Sequence, residues 1–473
     1  ARVRRMHEPI AMLNYNWQIT EKTNLSVATS LRFGYNGYSA LTWYKGEDPR
    51  PDYYRKLPSY YGDRLERRLL LNKFAEANDE TLLFTDTDLE TDKLKYQQFI
   101  NDWSGYIDFD ELIRNNMDGE KDSRYEGRRA SAMIEERRTD QLDYNLAVQL
   151  THDFKDGSQL TGGVRARINR TEYYSTVKDL LGGSYWLDID KFAERDKGSD
   201  IIAYQNDVDY YLANGHARVV KEGDKYGYDY YANIRQAQAW AQYAMTYGGF
   251  TMNLGGEIGY SSMWREGLWR KGLFPNGNDS FGDSAHLNFL TYKAKAAFSY
   301  RFSGAHSLAL NAVALADAPK FASAFVSPRT RNHYNPGLTT EKIYGAELTY
   351  NLNLPYIKAR LSGFYTSMND LSKVISYYDD TQSSFTNFAM SGIDKQYYGV
   401  ELGFRIPIVA DLAVSGAASI GDYTYTSNPY FTQTRDNTAA TLVENARVYW
   451  KGMKVESTPQ TAINLGLNYK TSN

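Results

Sequence analysis

The sequence predicts an all-β chain folded as a transmembrane antiparallel β-barrel, and three observations predict it. Apolar and polar residues alternate with period two over segments of about ten residues, which helical spacing fits poorly. The links between these segments are short, then long, then short again along the whole length, whereas most links in compact domains are short. Tyr and Trp gather near segment ends on the apolar side, as interfacial girdles do. Composition agrees: of 473 residues 41 are Tyr, aromatics make up 15%, and mean hydropathy is -0.59. Barrels look hydrophilic on average because only alternate strand residues meet lipid.

The elements follow in order. A first strand at about 10–19 carries Tyr15 and Trp17, and the turn at 20–24 leads into a second. There Leu25, Val27, Leu31 and Phe33 oppose Ser26, Ala28, Ser30 and Arg32. After a long stretch, strands at 140–152 and 159–170 flank a turn at 153–158. Leu142, Tyr144, Leu146 and Val148 oppose Asp143, Asn145 and Gln149, and Val164, Ala166 and Ile168 oppose Arg165, Arg167 and Asn169. Tyr243 and Tyr247 end the next strand, Gly248 and Gly249 turn the chain, and Leu254, Ile258 and Tyr260 oppose Glu257. Later pairs turn at 303–306, 353–355 and 408–411. In them Tyr292, Tyr300, Tyr344, Leu348, Tyr350, Tyr398 and Leu402 oppose Lys293, Lys295, Arg301, Glu347, Glu401 and Arg405. The last strand sets Ile463, Leu465, Leu467 and Tyr469 against small and polar residues.

This gives about thirteen strands. Ten residues at ~3.4 Å, tilted ~45°, span the ~25 Å apolar band of a membrane barrel. Long stretches at about 35–139, 171–232, 263–286, 317–341, 369–396 and 427–458 would be extracellular loops, and the short turns periplasmic. Alternation alone fits a soluble sandwich equally well with the apolar face inward. The one-sided loops favour the membrane barrel, with Arg32, Arg165, Arg167, Glu257, Lys293, Lys295, Arg301, Glu347, Glu401 and Arg405 facing the lumen. A sheet with lipid on one face needs closed edges. The whole chain, 1–473, therefore reads as part of one barrel, with further strands expected before Ala1 and a closing strand after Asn473.

Several classes are excluded. No apolar run is long enough for a transmembrane helix, and "ARVRRMHEPI" has no apolar core of a signal peptide behind its arginines. A net charge of -3 gives no footprint for nucleic acid. No nucleophile elbow, zinc-binding HExxH or phosphate-cradling loop is visible, and the six His are scattered. No catalytic residue, metal ligand or cofactor is expected. The run "TDTDLETD" at 85–92 reads as a solvated acidic loop, with Ca²⁺ binding as the alternative. The segment 92–116 has Leu94, Phe99, Trp103, Ile107, Leu112 and Ile113 near helical spacing and reads as helix inside a loop.

The segments "DPRPDYYRKLPSYY" (48–61), "MWREGLWRKGLFPNGNDSFG" (263–282), "SPRTRNHYNPGLTTEKIYGAELTY" (327–350), "GIDKQYYGVELGF" (392–404) and "TPQTAINLGLNY" (458–469) together resemble the barrel of Bacteroidetes TonB-dependent outer-membrane receptors. The resemblance is to the branch with a carboxypeptidase-regulatory-like domain ahead of the plug. It implies the C-terminal part of a 22-stranded barrel, with the plug and first strands outside this chain. It also implies uptake of a scarce nutrient such as an iron chelate, a cobalamin, a glycan or a peptide. Implied partners are TonB through the plug, outer-membrane lipid and the nutrient itself, while the sequence leaves open whether a surface lipoprotein lids the barrel. Tyr228, Tyr230, Trp264, Arg265, Trp269, Arg270, Arg329 and Arg331 lie in loop segments, where rings would stack on ligand and guanidinia would hold a carboxylate or phosphate. Rival readings are a plug-less porin, adhesin or secretion partner, and a secreted carbohydrate-binding β-protein.

Overall fold

The computed structural model describes residues 2–46, 48–78, 81–102, 105–379, 384–436 and 440–470. Thirteen long strands form its wall. They are β1 (Arg4–His7 and Ile10–Thr20, interrupted at Glu8 and Pro9), β2 (Thr23–Trp43), β3 (Ala132–Asp153), β4 (Gln159–Asp179), β5 (Lys225–Tyr247), β6 (Phe250–Gly267) and β7 (Leu287–Arg301). The wall continues through β8 (His306–Asp317), β9 (Glu341–Leu354), β10 (Ile357–Asp379), β11 (Ser384–Val409), β12 (Leu412–Tyr425) and β13 (Thr461–Tyr469). Each pairs antiparallel with the next in chain order. Among the described residues, the Ile10–Thr20 segment of β1 pairs only with β2, and β13 only with β12.

One rim carries tight turns. Glu21 and Lys22, Gly248 and Gly249, Pro355 and Tyr356, and Ala410 and Asp411 each close a hairpin. Gly248 sits at φ +56°, and a Cβ on Gly249 would stand 2.6 Å from the Arg301 carbonyl oxygen. Positive φ in a two-residue turn matches the twist of the flanking strands. At the break in β1, Gly34 lies opposite with φ +119°, where a side chain would meet the His7 carbonyl.

The two faces differ as the alternation requires, and exposure decides which way they look. Ile258, Leu348 and Leu465 are 59%, 49% and 74% exposed. In a two-layer sandwich such a face would be buried. Among the described residues no second layer covers it, and the dry clusters lie where strand tops meet the loops of the other rim. The largest joins Tyr44, Met133, Val177, Leu180, Trp186, Leu187, Ile189 and Val220. Tyr144, Tyr260, Tyr292, Tyr344, Tyr365 and Tyr398 ring the apolar face on one side, and Trp17, Tyr247, Tyr300, Tyr350 and Tyr469 on the other. Tyr260 and Phe250 stand ten residues apart on β6, about 24 Å along the barrel axis at ~3.4 Å per residue and ~45° tilt. The apolar face is the outer face.

Two expectations need correction. The stretches at 35–139, 171–232 and 369–396 are not wholly loop. Above the upper tyrosines β2 and β3 stay paired to Trp43 and Ala132, and β10 and β11 to Asp379 and Ser384. Both faces leave lipid there, so the alternation that marks strand in the sequence stops while the ladder continues. Second, the run 85–92 is no solvated loop. It opens helix α2 (Asp86–Asp102), which packs on α1 (Pro58–Ala77). Thr85 and Asp88 form a reciprocal cap: the Thr85 N–H donates to Asp88 Oδ2 at 3.0 Å, and the Asp88 N–H to Thr85 Oγ1 at 3.3 Å. Asp92 is fully buried against Arg64 and Arg68, which removes it from any cation site. The helical reading of 92–116 holds for α2 and for α3 (Phe109–Met117), while Trp103 lies outside the described residues.

Candidate functional site

The polar wall is built by register. Arg32 lies opposite Asp143, which lies opposite Asn169. Arg167 donates to Asp143 at 2.7 Å, and Arg32 is bonded to Glu8. Glu257 is shared by Lys293 at 2.8 Å and Arg165 at 3.8 Å, and Arg360 reaches Glu347 at 2.7 Å. Lys295, Arg301, Glu401 and Arg405 occupy the same face by strand parity. Such charges persist because they are paired or wetted. A trough of about 240 Å³ crosses this wall between Asn145, Arg165, Arg167, Gln236 and Gln238. A larger one, about 540 Å³, lies chiefly on the outer face, where Ala241, Gly256, Ala294, Ala296 and Ala312 leave the apolar surface shallow.

At the long-loop rim the eight residues separate into two kinds. Four expected in loops stand on strand extensions instead, Tyr228 and Tyr230 on β5 and Trp264 and Arg265 on β6, because the ladder continues above the girdle. Arg265 is 1% exposed and spends its guanidinium on protein: Nε donates to the Pro328 carbonyl at 2.5 Å, Nη1 to the Ser280 carbonyl at 2.9 Å and to Asn332 Oδ1. Arg331 is equally buried, bonded to Thr434 Oγ1 at 2.7 Å and facing Asp436. Arg270 donates to Asp209 and to the carbonyls of Pro275 and Gly277. Trp269 lies under Arg218, Trp264 stacks on His286, and Tyr230 is buried against Tyr173. These six tie strand extensions and loops to one another. Arg329 differs: it is exposed, its guanidinium stands 5.0 Å from the Tyr228 ring, and it has no acidic partner among the described residues.

Sequence reasoning missed Lys271, the pair Tyr38 and Arg137, and a loop helix. Lys271 is buried between Asn206 Oδ1 and the Gly227 carbonyl, and burial pushes its ammonium down to about 8. Tyr38 and Arg137 lie opposite each other on β2 and β3, with Arg137 Nη1 donating to the Tyr38 hydroxyl at 3.0 Å. They sit where alternation has ceased, so no local pattern marks them. The helix Lys191–Lys197, from the β4–β5 connection, reaches the tops of the later strands. Phe192 meets Phe385 with ring centroids 5.9 Å apart, and Arg435 donates to Asp196 at 3.4 Å. The loops therefore meet over the mouth.

Among solved structures, the chain is similar to the copper transporter OprC, with a TM-score of 0.50 at 10% identity over 90% of this chain and 48% of that one. It is also similar to the siderophore receptor PiuA from Acinetobacter baumannii, with a TM-score of 0.51 at 12% identity over 98% of this chain and 52% of that one. The fold is that of a transmembrane antiparallel β-barrel. At such identities the likeness carries architecture alone, and the chain spans about half the length of the structures it matches. No family model matches the chain, and no curated protein matches it.

Proposed function

We propose that this barrel belongs to a TonB-dependent transporter of the bacterial outer membrane, of the Bacteroidetes branch named above, which takes up a scarce nutrient captured by its extracellular loops. One observation carries the reading: an exposed apolar face between two aromatic girdles backs a wall of paired charges, with extended loops on one rim only. Residues 1–473 form the C-terminal part of a larger barrel. The free edges of β1 and β13 take further strands, because unpaired backbone groups in hydrocarbon cost several kcal/mol each. The polar wall around Arg165, Arg167, Gln236 and Gln238 offers a surface on which a plug packs. TonB, pulling on that plug, couples uptake to the inner-membrane proton gradient. Loops that meet over the mouth suit capture better than a permanently open pore.

Sidedness and transport are tested in cells. Ala213→Cys in the long loop should react with an impermeant maleimide on intact cells, and Lys155→Cys in a short turn only after lysis. The reverse pattern overturns the orientation. Gene deletion should slow growth when iron, cobalamin, glycan or peptide is limiting, and loss of TonB should do the same. Normal growth in all four media would exclude uptake of these nutrients.

A further inference from the structure

We infer that Tyr38, Arg137, Tyr228 and Arg329 form a shelf at the long-loop mouth that binds an anionic ligand bearing a flat conjugated ring. The inference deepens the transport reading, on which its biological use rests, by naming the chemistry of the cargo.

The shelf faces inward. Tyr38 shares the β2 face of Arg32, Arg137 the β3 face of Asp143, and Tyr173, stacked on Tyr230 at 5.1 Å and 11°, the β4 face of Arg167. From β2 to β5 the surface is about 14 Å wide at ~4.8 Å per strand. That is room for a fused ring system with its substituents.

Arg329 is presented by its neighbours. Arg265 holds the Pro328 carbonyl, the Thr330 hydroxyl donates to the Ser327 carbonyl at 3.1 Å, Arg331 bonds Thr434, and Asn332 Nδ2 donates to the Asn278 carbonyl at 2.5 Å. Every residue around it is tied to protein, while the Arg329 guanidinium lies over the Tyr228 ring with its donors free among the described residues. A cation fixed in advance loses little entropy on binding. On the other flank Arg137 donates Nε to Glu135 at 2.7 Å and Nη1 to Tyr38, leaving Nη2 without a protein partner among the described residues.

The charge balance selects an anion. Glu135, beside Arg137, is buried, paired with that guanidinium and bonded by the Tyr226 hydroxyl. Lys191, whose Nζ donates to the Trp43 carbonyl at 2.6 Å, adds a further cation beside it. Glu135 is thus occupied by partners of its own among the described residues. The accessible groups are the exposed Tyr38 and Arg329 with the half-buried Tyr228 and Arg137. Phenol rings beside guanidinia suit a planar anion: stacking for the ring and charge-assisted hydrogen bonds for the acid.

The test uses the detergent-solubilised full-length protein and calorimetric titration with 2-naphthoate, neutral 2-naphthalenemethanol, cyclohexanecarboxylate and glucuronate. Naphthoate should bind about tenfold tighter than each of the others. Arg329→Gln should cost about tenfold, Arg329→Lys should keep most of the affinity, and Tyr228→Leu should weaken naphthoate alone. Unchanged protease resistance of the loops shows that these variants are folded. Equal binding of the neutral analogue, undiminished binding in Arg329→Gln, tighter binding of glucuronate, or no binding of naphthoate would each overturn the shelf. A growth defect without naphthoate binding removes the shelf alone. Naphthoate binding without a growth defect supports the shelf and removes the uptake reading for the nutrients tested.

Discussion

Lys271 shows how the loops settle a charge without a close acid. Its ammonium is bonded by a side-chain amide and a backbone carbonyl, with Asp188 and Asp190 as the stabilising charges and Arg265 and Arg218 opposing. In the unfolded chain a Lys titrates near ~10.4, against about 8 here. The folded loops therefore release a proton that the unfolded chain keeps between these values. The stabilising effect is fully present above about 10.4, falls away as pH drops towards 8, and below 8 the folded state bears the whole cost, on the order of 3 kcal/mol. Relative to Lys271→Met, the wild-type loops should gain protease resistance as pH rises from 8 to 10. A flat difference would show that Lys271 does not titrate there. The neighbouring Arg265 and Arg331 illustrate the limit of sequence at this scale. Their residue type and loop position suggested ligand contact, but burial comes from residues such as Pro328 and Thr434, far along the chain, and nothing local announces it.

Among the elements, the helical hairpin of α1 and α2 depends most on a single group. Asp92 is fully buried, with Arg64 and Arg68 both on it, and among the described residues no other element makes an extensive contact with the pair. Removing the carboxylate leaves two guanidinia half-buried and facing each other, a loss of about 3–5 kcal/mol for a buried pair. Asp92→Ala should melt the hairpin, seen as lost helical circular dichroism and tryptic cutting near Lys73 and Lys95, while the barrel stays intact. Asp88→Ala, which removes only the cap, should cost about 1 kcal/mol and leave it folded. Equal damage from both would place the stability in the cap. The reciprocal Thr85–Asp88 cap was present in the sequence, but four acids in eight residues read more simply as solvated. The thirteen strands were legible because lipid and water impose period two on them. Their extensions towards Trp43 and Asp379 were not, because above the girdle no such contrast exists.

For the molecule as a whole, the governing fact is which ring of side chains meets hydrocarbon. The sequence fixes two faces by alternation but is silent on which one is dry, since a sandwich and a barrel share the pattern with opposite sense. The structure breaks the tie because Leu402, Ile258 and Leu465 have nothing packed over them, whereas Glu257 and Asp143 are bonded across the other face. Leu402 lies opposite Ala418, one register step from Ala417, so the two positions share a depth and differ only in face. Arginine placed midway between the girdles on the lipid side costs ~2–4 kcal/mol, and on the wet side little. Leu402→Arg should lower refolding stability in lipid vesicles by about that amount, and Ala417→Arg by less than about 1 kcal/mol. The contrast should vanish in urea-dependent unfolding of the loops, which neither position touches. If Ala417→Arg were the costlier substitution, the wall of charges would be the packed side, and the barrel would have to be turned inside out.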